Sequence, residues 1–195
     1  MSKIFVISGP SGVGKNSIAN AVLKGHPNLA ESISYTTRKP RDGEVDGEDY
    51  HFISEDRFNQ LLDDGVFVEH AEVHGNMYGT SVYSIDILLN DLNKNVLIVL
   101  DVQGASIFKD SFPDAVLIFL VPPSLHDLKI RMLKRGVESE EELQTRLENA
   151  KEEMKKYVWY DWVVENDVLS EAIKDTEKII HVESSLRPDG VTTIT

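Results

Sequence analysis

Residues 4–17 read IFVISGPSGVGKNS. The first five, Ile4 to Ser8, are apolar but for Ser8 and rich in β-branched and aromatic types, as in a strand covered on both faces. Three glycines follow, at 9, 12 and 14, and then Lys15. A simple turn needs one glycine. Three glycines and a lysine make a loop whose backbone something negative must approach closely. The spacing G-x-x-x-x-G-K runs from Gly9 to Lys15, after a predicted strand and before a predicted helix at 16–24. In such a loop the N–H groups of Gly9, Ser11, Gly12, Val13 and Gly14 surround a phosphate chain, and Pro10, also in the loop, has no N–H to offer. The helix adds its positive N-terminus and Lys15 a mobile charge.

A loop of this kind binds a nucleoside triphosphate. The residue after its lysine is usually Ser or Thr, whose hydroxyl holds Mg²⁺. Here it is Asn16, and Ser17 follows. Ser17 is one candidate for the metal. Asn16 is another, with an amide oxygen that is the weaker ligand for a hard cation.

The rest of the chain alternates strand and helix. Apolar runs at 4–8, 96–100, 116–121 and 162–166 read as buried strands. Helical patterns lie at 124–135, at 140–156 with Ser139 and Glu142 as a capping box, and at 170–181. That order predicts an α/β fold with a mostly parallel sheet. Residues 32–81 break the rhythm with short strands and turns and a helix at 55–64 closed by Gly65, a lobe of mixed sheet.

Composition narrows the function. The chain has 195 residues, 41 % of them apolar, and fits one domain. Its net charge of −13 is wrong for nonspecific binding to nucleic acid, which needs a basic face. No apolar run approaches the ~20 residues that span a bilayer, and the start is too short in apolar residues for a secretory signal. With no cysteine there is no disulfide framework, which suits the cytoplasm. The six histidines lack metal-ligand spacing, so His51, His70 and His74 are expected to pack or face solvent, and Trp159 and Trp162 to lie in the core or on apolar surface. The basic residues cluster locally. Arg38 and Arg41 flank Pro40, and two guanidinium forks there can grip one phosphate, with the Tyr50 and Tyr78 hydroxyls completing the site.

These stretches, together with SYTTRKPRDGEVDGEDYHF, FVEHAEVHGNMYGTS, LDVQGA and VVEND, resemble the guanylate kinases over about residues 3–183. The resemblance implies an α/β, P-loop, three-layer core with a mostly parallel sheet, a mixed-β GMP-binding lobe and a helical lid. Within one domain, 1–195, the core would take about 1–31, 82–123 and 157–185, the lobe about 32–81 and the lid about 124–156. It implies transfer of the terminal phosphate of ATP to GMP with Mg²⁺, giving ADP and GDP, as monomer or homodimer. By resemblance Ser34, Arg38, Arg41, Tyr50 and Tyr78 would hold the GMP phosphate, and Glu69, Thr80 and Asp101 would read guanine. Lys15 and the loop would bind ATP, and Asn166 would lie near the adenine. Arg135 and Arg146, with Arg131 nearby, would close over the transferring phosphate.

The chemistry supports the base assignment. Guanine presents two adjacent donors, N1–H and the 2-amino group, and one carboxylate accepts both. Adenine presents a lone pair at N1, and the mismatch costs ~1–3 kcal/mol. Arg131 and Arg135 lie four apart on one helical face, although ordinary surface Arg–Glu pairs compete with a catalytic role for Arg131. Three departures from the family stand out: Asn16; Val99, where a second acid is common; and Met77 and His70, where aromatics are usual. The contrasting reading is a non-catalytic guanylate-kinase-like module that binds phosphorylated protein segments. The intact loop argues against it, and Arg38, Arg41 and Glu69 together argue against another nucleotide kinase or a hydrolase.

Overall fold

The computed structural model describes residues 2–73, 75–134 and 139–186. Its core is a five-stranded sheet in which every neighbouring pair is parallel. Central strand β1 (Ile4–Ser8) has β7 (Asn95–Val99) on one side and β8 (Val116–Val121) on the other. The edges are β2 (Leu29–Glu31) beside β7 and β9 (Trp162–Glu165) beside β8. Three-residue β2 is too short to show a sequence period, and it completes a sheet wholly parallel where a mostly parallel one was expected.

The unbroken apolar runs bury both faces of the sheet. Phe5, Ile7, Leu97, Ile118 and Leu120 face one cluster with α1 (Lys15–Gly25), α5 (Leu125–Lys134), α6 (Glu140–Met154) and α7 (Leu169–Ser185). Val6, Ile98, Leu117 and Phe119 face the other, with Ile85 of α3 (Val82–Asp86) and Val102, Ala105 and Phe108 of α4 (Val102–Ser111). Each large apolar side chain so buried is worth ~1.5–3 kcal/mol. Helices α3 and α4 are not expected from sequence: α3 is only five residues long, and α4 has the Gln103–Gly104 pair in its first turn. Asp101 caps α4, accepting from the Gly104 N–H at 2.6 Å. Helix α3 runs on into a π-helical turn at Ile87–Asp91.

The expected lobe is a second, mixed sheet. Its strands are β3 (Tyr35–Thr36), β4 (His51–Phe52), β5 (Phe67–Val73) and β6 (Asn76–Ser81), in the order β4-β3-β6-β5. Helix α2 (Glu55–Asp63), capped by Ser54, packs Phe58 on Phe67 with ring centroids 4.6 Å apart. The alternation of β5 turns Glu69 and Ala71 inward and His70 and Glu72 outward. Other expected caps are present: Ser124 Oγ accepts from the Asp127 N–H, and Ser139 Oγ from the Glu142 N–H. His51 stacks near Tyr35, and half-exposed Trp162 donates to Glu183. His74, Arg135 and Gly136 lie outside the described residues. Among those described, no helix is long and apolar enough to cross a membrane.

Candidate functional site

The glycine loop leaves β1 where the connections of the sheet diverge, to β2 and β7 on one side and to β8 on the other. Parallel α/β sheets bind ligands at such a point. Gly9 and Gly14 have φ of +140° and +107°. A Cβ on Gly9 would collide with the backbone carbonyl of Leu120, and one on Gly14 would lie 2.6 Å from the Asn166 amide nitrogen. The loop is therefore wedged tightly against β8 and Asn166. Lys15 Nζ donates to the Gly9 carbonyl at 2.6 Å and the Pro10 carbonyl at 3.3 Å. No side chain caps the start of α1, so its first amides face the loop.

The outer side of the loop is fixed separately. Asn166, 5 % exposed, donates from Nδ2 to the Val13 carbonyl at 2.7 Å. Arg131 donates to the Val13 carbonyl at 3.3 Å and the Asn166 carbonyl at 2.7 Å. Both residues brace the loop from behind.

The residues expected to form a second anion site gather where the lobe faces the core. Arg38 donates to the Tyr78 hydroxyl at 3.2 Å and to Glu44 at 2.9 Å, and its guanidinium lies 5.5 Å from the Tyr50 ring centroid. Glu44 also accepts the Arg41 N–H at 2.7 Å, which ties the two arginine positions together. Burial tends to raise the pKa of Glu44, but its bonds to Arg38 and Arg41 hold it below the usual carboxylate value. Burial and then the neighbouring Tyr78 push the Tyr50 hydroxyl up, opposed by the Asn16 amide.

Deeper in, Glu69 is 3 % exposed. The β5–β6 register sets it opposite Thr80, whose Oγ1 donates to Glu69 Oε1 at 2.6 Å. Thr80 Oγ1 also lies 3.3 Å from Ser34 Oγ. Burial, then the charge of Asp101, push the Glu69 carboxyl up to about 7.

These groups share one open cleft of about 450 Å³. From the loop it takes Gly9, Ser11, Gly12, Lys15 and Asn16; from the lobe Ser34, Arg38, Arg41, Tyr50, Glu69 and Tyr78; and from the core Asp101 and Val99. Pro10, Val13, Gly14, Ser17, Thr80, Arg131 and Asn166 are not on its lining. Of the arginines expected on a lid, Arg146 lines the cleft and donates from Nη2 to Ser11 Oγ at 2.9 Å, and Arg135 is outside the described residues. Sequence reasoning missed Glu44, Asn149, Glu153 and Lys156 on the lining. The last three follow Arg146 at intervals of three, four and three, a helical face legible from spacing alone.

For a metal, the cleft offers the Asn16 amide and the Asp101 carboxylate, and Ser17 is exposed beside it. Among the described residues no group of three or more His, Cys, Asp or Glu side chains makes a cage. That donor set fits Mg²⁺, which keeps several waters and takes one or two protein oxygens with substrate phosphates.

A family model described as guanylate kinase matches residues 1–183. A guanylate kinase of Clostridium perfringens (strain 13 / Type A) is 45 % identical over 180 residues, covering 92 % of this chain and 83 % of the relative. One of Lactococcus lactis subsp. lactis is 42 % identical over 180 residues, covering 92 % and 87 %. The crystal structure of guanylate kinase from Anaplasma phagocytophilum matches with a TM-score of 0.78 at 34 % identity, covering 93 % of this chain and 86 % of that one.

Proposed function

The chain belongs to the guanylate kinase family, enzymes that move the terminal phosphate of ATP onto GMP, and we propose that the cleft divides this work among the residues that line it. Lys15 and the amides from Gly9 to Ser17 hold the ATP phosphates. Arg38, Arg41, Ser34, Tyr50 and Tyr78 hold the GMP phosphate. Glu69, oriented by Thr80, accepts guanine N1–H and the 2-amino group, with Asp101 beside it. The two phosphates are thereby brought in line, and alignment and positive charge supply most of the catalysis in phosphoryl transfer.

Arg146 supplies charge where the phosphate crosses, and we assign Arg135 the same role. Arg131 and Asn166 act through the loop they brace. Mg²⁺, held by Asn16 or Ser17, would neutralise charge on the transferring phosphates. The core, lobe and lid divide near residues 31, 81, 123 and 156, and the lobe and lid close on the core to exclude water. We place the reaction in the cytoplasm, where its two nucleotides and Mg²⁺ are available.

The observation that carries this reading is the meeting of Lys15, Arg38 and buried Glu69 in one cleft. A module that binds phosphorylated protein segments has no use for the first. A coupled assay with ATP and Mg²⁺ across GMP, AMP, UMP and CMP tests it. GMP should be turned over far faster than the rest, and equal turnover of AMP would overturn the guanine reading.

A further inference from the structure

Helix α6 brings more than Arg146 to the glycine loop. Two turns further on, at the same face, stands Glu153, which also lines the cleft. The buried side of α6, through Leu143, Leu147 and Ala150, is set in the main apolar cluster, so both side chains are aimed by a fixed helix. Arg146 donates to the hydroxyl of Ser11. The Glu153 carboxylate lies against the backbone N–H of the same Ser11 and within reach of the charges of Lys15 and Lys156. One helix therefore engages one loop residue from both ends.

Glu153 is poorly satisfied there. Its Oε2 is buried and has no hydrogen-bond partner among the described residues, and neither has Arg146 Nε. A buried, half-satisfied carboxylate is costly. Burial pushes the Glu153 carboxyl up; Lys15, Ser11 and Lys156 pull it down, and Asp101 across the cleft pushes it up. Lys15, the Ser11 N–H and Lys156 supply the positive field that favours an anion at this place against its burial, and the loop's share of that field is what draws the phosphates of a nucleotide.

We propose that Glu153 is an internal competitor for the phosphate loop: a carboxylate on the lid helix that the triphosphate must displace before ATP seats fully. This rests on the kinase reading of the same cleft. Displacement turns the Glu153 side chain away from Ser11, with α6 held in place, and frees Arg146 from Ser11 to turn onto the arriving phosphates. The lid then reports the loading of the loop through one residue, Ser11.

Glu153→Gln removes the charge and keeps the size. ATP binding with Mg²⁺ and without GMP, measured by titration calorimetry on the full chain, should tighten about five- to tenfold, the scale of one like-charge contact at about 4 Å in water-like surroundings. GMP binding should stay within about twofold. General damage to the lid weakens ATP binding, so the direction separates the two causes. Unchanged or weaker ATP binding overturns the proposal. If E153Q fails to fold, Glu153→Asp draws the charge back by one methylene, and the same comparison applies: tighter binding supports the proposal, and unchanged or weaker binding overturns it. A wild-type chain that binds ATP but does not phosphorylate GMP sinks the kinase reading, yet leaves the Glu153 comparison intact.

Discussion

Replacing Glu69 by Gln should make the protein more stable and a worse enzyme. Glu69 is almost wholly buried, and its carboxyl is pushed from 4.5 to about 7. That shift of about two and a half pH units, at about 1.36 kcal/mol each, means that ionised Glu69 costs the fold at most about 3 kcal/mol. The folded state binds this proton more tightly than the unfolded chain. The cost is therefore absent below pH 4.5, grows as the pH rises to 7, and is complete above it. Glutamine never ionises, so E69Q should be about 1–3 kcal/mol more stable at pH 8, or about 2–12 °C in Tm for a domain of this size. Near pH 4.5 the difference should vanish. The cost to function follows from the same geometry. Thr80 donates to Oε1 and fixes the glutamine oxygen, which leaves the glutamine NH₂ to face two guanine donors. An opposed buried pair costs ~1–3 kcal/mol, so KM for GMP should rise about ten- to a hundredfold while KM for ATP holds. Scanning calorimetry at pH 8 and 4.5 and a coupled kinase assay read both halves. A lower Tm at pH 8, or an unchanged KM for GMP, would refute the reasoning.

Other outcomes follow from the same cleft. Wild-type KM for GMP should rise as pH falls below about 7, because protonated Glu69 loses an acceptor; a flat profile from pH 8 to 6 counts against the carboxylate reading. Lys15→Ala should cut kcat by about a hundredfold or more, with GMP affinity by calorimetry nearly unchanged. Arg38→Ala removes the bonds to Tyr78 and Glu44 and should raise KM for GMP about tenfold or more, given ~1.5–3 kcal/mol for a charged hydrogen bond. Asn16→Ala should raise the Mg²⁺ needed for half-maximal rate about tenfold, whereas Ser17→Ala, off the lining, should leave it within about twofold; the reverse order would assign the metal to Ser17.

Much of this was legible because the decisive residues are chemically constrained. Strands β1 and β8 fall where the unbroken apolar runs end, since burial on both faces permits nothing else. Gly9 and Gly14 announced the loop because no side chain fits against Leu120 or Asn166. What stayed hidden depends on tertiary partners. Strand β2 exists only because β7 accepts it, and helix α4 is started by Asp101, whose residue type fits a base contact as well as a cap. Thr80, read as a base contact, faces Glu69, which only the β5–β6 register reveals.

The lid shows the same limit in a form that bears on mechanism. Its stripe of Leu143, Leu147 and Ala150 was read as a packing face, which it is. A helix that packs by one stripe must carry the adjacent stripe somewhere, and here Arg146, Asn149 and Glu153, with Lys156 in the turn just past the helix, are carried into the cleft. That stripe carries two cations and an anion, so docking α6 delivers both signs to the phosphate loop. A lid bearing only arginines would bind phosphate and hold it. One that also bears a carboxylate weakens its grip on the triphosphate and eases opening, and that trade favours turnover wherever release of product limits the rate.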